Sequence, residues 1–196
     1  DKEDKQKLVH RLDKDTSGVL LIARTGKAAK ALTESFRIRK TNKIYWALVK
    51  GKPSQVEGSI QAPLDKEPGT RGERMAVSDN GRRAITDFRV MDSAAGTVTW
   101  MAFRPITGRT HQIRVHATVL CTPIIGDGKY AAREAFIDGP ISKKLHLHAR
   151  SIEIDHPDGG LLSVKAPLPL HMLESWGLFG FNDEDNSDPF EEVDNV

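Results

Sequence analysis

The residue whose setting first suggests chemistry is Asp13. It lies in His10-Arg11-Leu12-Asp13-Lys14-Asp15-Thr16-Ser17-Gly18, where two carboxylates and the cations Arg11 and Lys14 crowd into a few positions. A Thr-Ser-Gly turn follows, and after it the apolar run 19–23. A carboxylate held on such a turn can add to an electrophilic carbon or remove a proton. The plainer alternative is a polar turn in which Asp13 or Asp15 accepts a hydrogen bond from its own backbone. Two further sets carry reactive or charged groups: Tyr45 within 43–51, and Arg109, His111 and Arg114 within 104–116. A strand tyrosine is most commonly a packing residue, and a guanidinium grips a carboxylate or phosphate through two parallel hydrogen bonds.

These groups need elements to hold them. Residues 19–23 are apolar, partly β-branched and bounded by Gly18 and Arg24, which predicts a buried strand delivering the Asp13 loop. Thr25 is a fitting N-cap for a helix with Ala28, Ala31, Leu32, Ser35 and Phe36 on its apolar stripe. Lys27, Lys30, Arg37, Arg39, Lys40 and Lys43 give that region a basic face. Residues 44–49 predict a second strand ended by Gly51. Residues 52–83 are rich in Pro, Gly and charge and predict loop, with Arg71, Arg74, Arg82 and Arg83 available to phosphates. Residues 84–91 and 97–103 predict a hairpin, and 111–120 a helix after the turn 104–108. In 145–149 the apolar residues alternate with His146 and His148, the period of a half-buried strand, and structural hydrogen bonding is the expected use of both histidines. A hairpin of 152–154 and 162–164 and a short helix over 169–178 complete the body. Strands come in pairs with few intervening helices, so the expected class is α+β: a largely antiparallel sheet with helices packed at its side.

The stretch around Asp13 resembles the catalytic motif of the RluA-type pseudouridine synthases. Lys43-Ile44-Tyr45-Trp46-Ala47-Leu48-Val49-Lys50-Gly51 resembles that family's tyrosine strand, and Arg104-Pro105-Ile106-Thr107-Gly108-Arg109-Thr110-His111-Gln112-Ile113-Arg114-Val115-His116 its arginine motif. Gly126-Asp127-x-x-Tyr130, 145–149 and Lys165-Ala166-Pro167 follow in the family's order. The resemblance implies an enzyme that isomerises uridine in RNA to pseudouridine after flipping the nucleotide out of its stack. It implies a mixed, mostly antiparallel β-sheet with flanking helices and a cleft across it, and Asp13, Tyr45 and Arg114 as the catalytic set, with Arg114 paired to Asp13. It also implies His10, Arg11, Leu12, Thr16, Arg109, His111 and Lys165 as substrate-binding residues, with Arg11 helping to fill the space the base vacates. Large-subunit ribosomal RNA is the expected substrate and transfer RNA the alternative. The family carries earlier strands and often a small RNA-binding domain ahead of this motif. The chain is therefore expected to be a piece: a catalytic domain over 1–180 lacking its first strands, then an acidic, disordered tail over 181–196.

Composition agrees with such a partner. The formal net charge of +2 hides an asymmetry. Residues 182–196 hold seven acids and no Lys or Arg, leaving 29 basic against 20 acidic residues in 1–181. A body at +9 suits a polyanion. No apolar run in the 196 residues approaches membrane-spanning length. One cysteine, Cys121, forms no internal disulfide and is expected in the core, so a reducing cytoplasm is the expected compartment. No metal-ligand spacing or phosphate loop appears, so no metal or other cofactor is expected, and a monomer is.

Two other functions compete. A non-catalytic RNA-binding factor of ribosome assembly would explain the charge equally well, but gives no reason for Asp13, Tyr45 and Arg114 to occur together. A glycoside-type hydrolase needs two carboxylates facing one bond, and Asp15 is the only one near Asp13.

Overall fold

The computed structural model describes residues 6–69 and 72–191. In chain order the strands are β1 (Lys7–Leu8), β2 (Ser17–Gly18), β3 (Ile22–Ala23), β4 (Thr41–Lys50), β5 (Glu57–Gln61), β6 (Leu64–Glu67), β7 (Arg74–Val77), β8 (Ile85–Ala94), β9 (Val98–Pro105), β10 (Leu147–Asp155) and β11 (Leu161–Lys165). The helices are α1 (Gly26–Arg37), α2 (Gln112–Val119) and α3 (Leu170–Phe179), with one 3-10 turn at Ala132–Ala135.

Six strands form the main sheet in the order β11-β10-β4-β9-β8-β5, every pair antiparallel, and β2 adds to β10 in parallel. This is the mixed, mostly antiparallel α+β sheet expected. Central strand β4 is buried on both faces because its two side-chain sets enter different cores. Ala47 and Val49 join Phe103, Met101, Leu147, Ile113 and Ala117 under α2. Ile44, Trp46 and Leu48 join Trp100, Met172 and Trp176 under α3. Trp46 and Trp100 meet edge to face with centroids 4.7 Å apart, a favoured arrangement of aromatic quadrupoles.

Five local expectations are corrected. Residues 19–23 are not one buried strand: the chain bends between β2 and β3, burying Val19 and Ala23 while leaving Leu20 and Ile22 exposed. Residues 52–83 are not merely loop but contain β5 and the β6–β7 hairpin, whose half-exposed positions carry the charges that masked them; Arg71 lies outside the described residues. Residues 147–149 and 152–154 belong to the single strand β10, with Leu145 and His146 just ahead of it, and the bulge between Ala149 and Ser151 resets the alternation of faces. Cys121 is exposed, in a left-handed turn just after α2.

The acidic segment after Gly180 is the fifth. Through Glu191 it packs as a strap against the α3 face. Phe181 is buried in the tryptophan cluster, and Phe190 packs at its edge. The strap's backbone carbonyls accept from Arg150 (Asp183 O at 3.4 Å, Asp185 O at 3.3 Å), Lys165 (Asn186 O at 2.6 Å) and Arg89 (Pro189 O at 2.8 Å). Phe190 also meets the Arg104 guanidinium at 4.6 Å. Composition suggested disorder because it counts acids, whereas the strap is held through its main chain and its two phenylalanines. Residues 192–196 lie outside the described residues.

Candidate active site

The Asp13 loop is fixed from three sides. Gly18 lies against β10 so closely that an added Cβ would stand 2.2 Å from the Ala149 carbonyl oxygen, and its φ of +115° is open to glycine alone at little cost. Ser17 and His148 share a 2.8 Å hydrogen bond across the β2–β10 pair. His10 Nε2 accepts from the Leu21 amide at 2.8 Å, and its ring stacks on Phe36 of α1 at 4.6 Å. Burial, with Lys43 nearby, lowers the His10 pKa to about 4, so the ring is the neutral acceptor that this bond needs.

Opposite stands the 104–116 segment. Thr107 Oγ1 donates to Gln112 Oε1 at 2.7 Å, the Arg109 amide donates to the same oxygen at 3.0 Å, and Gln112 Nε2 donates to the Ile85 carbonyl at 2.9 Å. This buried network fixes the turn before α2. His111 caps α2 in a left-handed conformation, φ 53°, and its amide donates to Asp13 Oδ2 at 3.0 Å. A carboxylate at the start of α2 also meets the positive end of the helix dipole.

Asp13 opens onto a cleft of about 860 Å³. It is the only carboxylate among the described lining residues, which include eight cations: Arg11, Arg39, Lys43 and Arg109, and four held in ion pairs, Arg37 with Glu34, Lys40 with Asp155, Arg104 with Asp87 and Arg114 with Asp127. His10, Leu12, Thr16, Tyr45 and His111 line the same cleft. Burial, reinforced by the charge of Asp13, pushes the Tyr45 phenol up to about 12, so it is a protonated hydroxyl at neutral pH.

Two expected placements differ. Arg114 does not pair with Asp13. Its Nε and Nη2 donate to Asp127 at 2.8 and 2.6 Å, and both side chains are buried. Asp127 takes both donors of one guanidinium edge, and Asp13 remains within electrostatic range only. Burial alone would lower the Arg114 pKa, but the hydrogen bonds and charge of Asp127 outweigh it and hold it above its ordinary value. Lys165 is outside the cleft: it is exposed on β11 and donates to the strap. Asp127 had a visible signal, a lone acid inside the apolar, glycine-punctuated run 123–128. The Cβ of any residue other than glycine at 126 would stand 2.0 Å from the Lys144 carbonyl oxygen, so this loop too is pinned to its neighbour.

His146 and His148 have structural partners, as expected. His146 Nε2 lies 2.8 Å from Ser175 Oγ, and His148 Nε2 lies 3.2 Å from the Ala166 carbonyl. Among the described residues no group of three or more His, Cys, Asp or Glu is placed to hold a metal ion, and no helix is long and apolar enough to cross a membrane.

A sheet crossed by a cleft, with one carboxylate at its floor and cations around its mouth, defines a protein built to act on a polyanion. The sequence model for RNA pseudouridylate synthases matches residues 1–118, and the chain belongs to that family. It is 43% identical over 164 residues to an uncharacterized RNA pseudouridine synthase of Zymomonas mobilis, covering 83% of this chain and 73% of that protein. It is 41% identical over 160 residues to the dual-specificity RNA pseudouridine synthase RluA of Escherichia coli, covering 81% of this chain and 72% of that protein. The solved structure of human RNA pseudouridylate synthase domain containing 4 superposes with a TM-score of 0.74 at 28% identity, covering 92% of this chain and 78% of that one. The chain spans only 55% of another relative, the ribosomal large subunit pseudouridine synthase C of Rickettsia felis.

Proposed function

We propose that this chain isomerises uridine to pseudouridine in RNA, with Asp13 as the catalytic carboxylate. The observation that carries the reading is the setting of Asp13: a lone carboxylate in a cationic cleft, its Oδ2 held by the His111 amide. The remaining oxygen has lone pairs to add to the sugar carbon or to take a sugar proton. The glycosidic bond to N1 breaks, the base turns within the cleft, and a bond from the same sugar carbon to C5 replaces it. The C5 proton leaves and N1 gains one, so the product is an isomer of the substrate. Tyr45 supplies a ring for stacking and a hydroxyl that stays protonated. Arg11, Arg109 and Lys43 contact phosphates, and Arg11 fills the space left by the flipped base.

The substrate we favour is large-subunit ribosomal RNA, on the name of the Rickettsia relative, and transfer RNA is the alternative. The protein acts as a monomer in the cytoplasm. The glycosidase reading loses its second carboxylate, because Asp15 is not among the lining residues. The test is tritium release from RNA containing 5-tritiated uridine, run beside filter binding. Asp13→Asn should release none and still bind RNA, since phosphate contacts and stacking supply the affinity. Release by folded Asp13→Asn would overturn the assignment.

A further inference from the structure

Tyr130 touches nothing that the proposed reaction uses directly, yet it joins three parts of the site. Its hydroxyl accepts from the Met75 amide at 3.2 Å, which ties it to the β6–β7 hairpin. The same hydroxyl lies 2.6 Å from His111 Nδ1. Its ring carries the Arg114 guanidinium at 5.0 Å, and its own amide donates to Asp127 Oδ1 at 3.2 Å.

The Met75 amide can only donate, so the hydroxyl oxygen accepts there, and we assign its one proton to His111 Nδ1, the tautomer that carries the His111 proton on Nε2. The ring is then locked at a short hydrogen bond. Burial lowers the His111 pKa, which keeps this neutral form. The lock matters because His111 is strained: a non-glycine residue in the left-handed region, at φ 53° and ψ 21°, needs surrounding contacts to hold it. That conformation aims the His111 amide at Asp13 Oδ2, 3.0 Å away.

We propose that Tyr130 is a positioning residue, which holds the His111 ring so that the His111 amide orients the Asp13 carboxylate. The proposal rests on the reading of Asp13 as the catalytic carboxylate. Tyr130 lies outside the sequence motifs of Asp13, Tyr45 and Arg114, and among the described hydrogen bonds it reaches Asp13 by a relay of two through His111.

The experiment measures single-turnover tritium release from an in vitro transcript of large-subunit ribosomal RNA containing 5-tritiated uridine. Wild type, Tyr130→Phe, His111→Ala, the double variant and Asp13→Asn are compared, with RNA affinity measured on each. Tyr130→Phe keeps the ring under Arg114 and should lower the maximal rate about tenfold or more, within the roughly 10²-fold that a misplacement of about 1 Å can cost, with RNA affinity unchanged. His111→Ala keeps the amide but loses the lock, and should fall by at least as much. The double variant should be no slower than His111→Ala, because both changes cut one relay. The His111 imidazole, followed by NMR, should titrate at higher pH in Tyr130→Phe, since the bond donated to its neutral form is gone. A wild-type rate for folded Tyr130→Phe would overturn the proposal. So would additive losses in the double variant, or a loss confined to RNA affinity. If Asp13→Asn is active, the reading of Asp13 fails instead; if it is inactive while Tyr130→Phe is normal, only this inference fails.

Discussion

Asp127→Asn should destabilise the protein more than any other single change of one heavy atom near the cleft. The Arg114 and Asp127 side chains are 8% and 1% exposed and joined by two hydrogen bonds of 2.8 and 2.6 Å. Asp127 Oδ1 also accepts the amides of Lys129 and Tyr130, both at 3.2 Å. An asparagine offers one acceptor oxygen where the carboxylate offered two, and its amide nitrogen opposes a guanidinium nitrogen donor to donor. Arg114 is then a buried charge with no counter-ion. Removing one partner of such a pair costs about 3–5 kcal/mol, mostly as the penalty on the charge left behind. In a chain of 150–250 residues, 1 kcal/mol moves Tm by about 2–4 °C, so a fall of about 6–20 °C is expected.

The Arg114→Met change tests the cause. If the cost is an orphaned charge, Arg114→Met combined with Asp127→Asn should be no less stable than Asp127→Asn alone, because the second change removes the orphan. Thermal and urea unfolding of wild type, both single variants and the double variant close the cycle. The coupling should reach about 2–3 kcal/mol, the upper part of the range for residues in direct contact. Additive losses, or an Asp127→Asn protein within about 1 kcal/mol of wild type, would show that Arg114 has another counter-charge and would refute the reasoning.

Gly18→Ala should abolish tritium release and destabilise the fold by about 2 kcal/mol or more, because its Cβ meets the Ala149 carbonyl in a backbone region closed to alanine; a stable, active variant would show that the loop is not pinned. The pKa values of His10, His146 and His148 are each lowered to about 4, with burial the leading cause. The unfolded chain therefore takes up protons from about pH 6.5 downward while the folded chain does not until about pH 4. Stability should fall across that window by up to about 1.4 kcal/mol per pH unit for each of His146 and His148 and by less for the more solvent-screened His10, and equal urea midpoints at pH 7 and pH 5 would contradict it. RNA affinity should fall steeply with salt, with a log–log slope of about −3 or steeper if four or more phosphates are neutralised; a flat affinity from low to moderate salt would rule out the cleft as a phosphate track. Truncation after Asn182 should lower Tm by a few degrees, at about 2–4 °C per kcal/mol, and leave the maximal rate unchanged; a large loss of rate in the folded truncation would make the strap part of the site.

The elements legible in the sequence were those marked by a clear apolar run, a cap or a turn signal. The N-cap Thr25, the hairpin of β8 and β9, and helix α2 stand close to where periodicity and turn chemistry put them. The misses have one physical origin: local composition does not report which partner a polar group finds across the chain. Residues 57–77 look like loop because their strands pair at a sheet edge and as a separate hairpin, with few core-facing positions to reveal a period. Asp13 could be named from its motif, but the amide that holds it comes from residue 111, and the counter-ion of Arg114 from residue 127.

That exchange of partners changes the electrostatic logic of the site. With Arg114 committed to Asp127, the only hydrogen bond to Asp13 among those described between the loop and α2 is a neutral amide. A guanidinium gripping Asp13 bidentately would take one lone pair on each oxygen and draw off charge from both. One amide fixes the direction of the carboxylate and leaves the second oxygen to react. The cations that remain in range act at a distance, and a cleft filled by RNA excludes the water that would screen them. Asp13 is thus oriented by a backbone donor and surrounded by positive potential without being neutralised by contact, the arrangement a nucleophile or base needs.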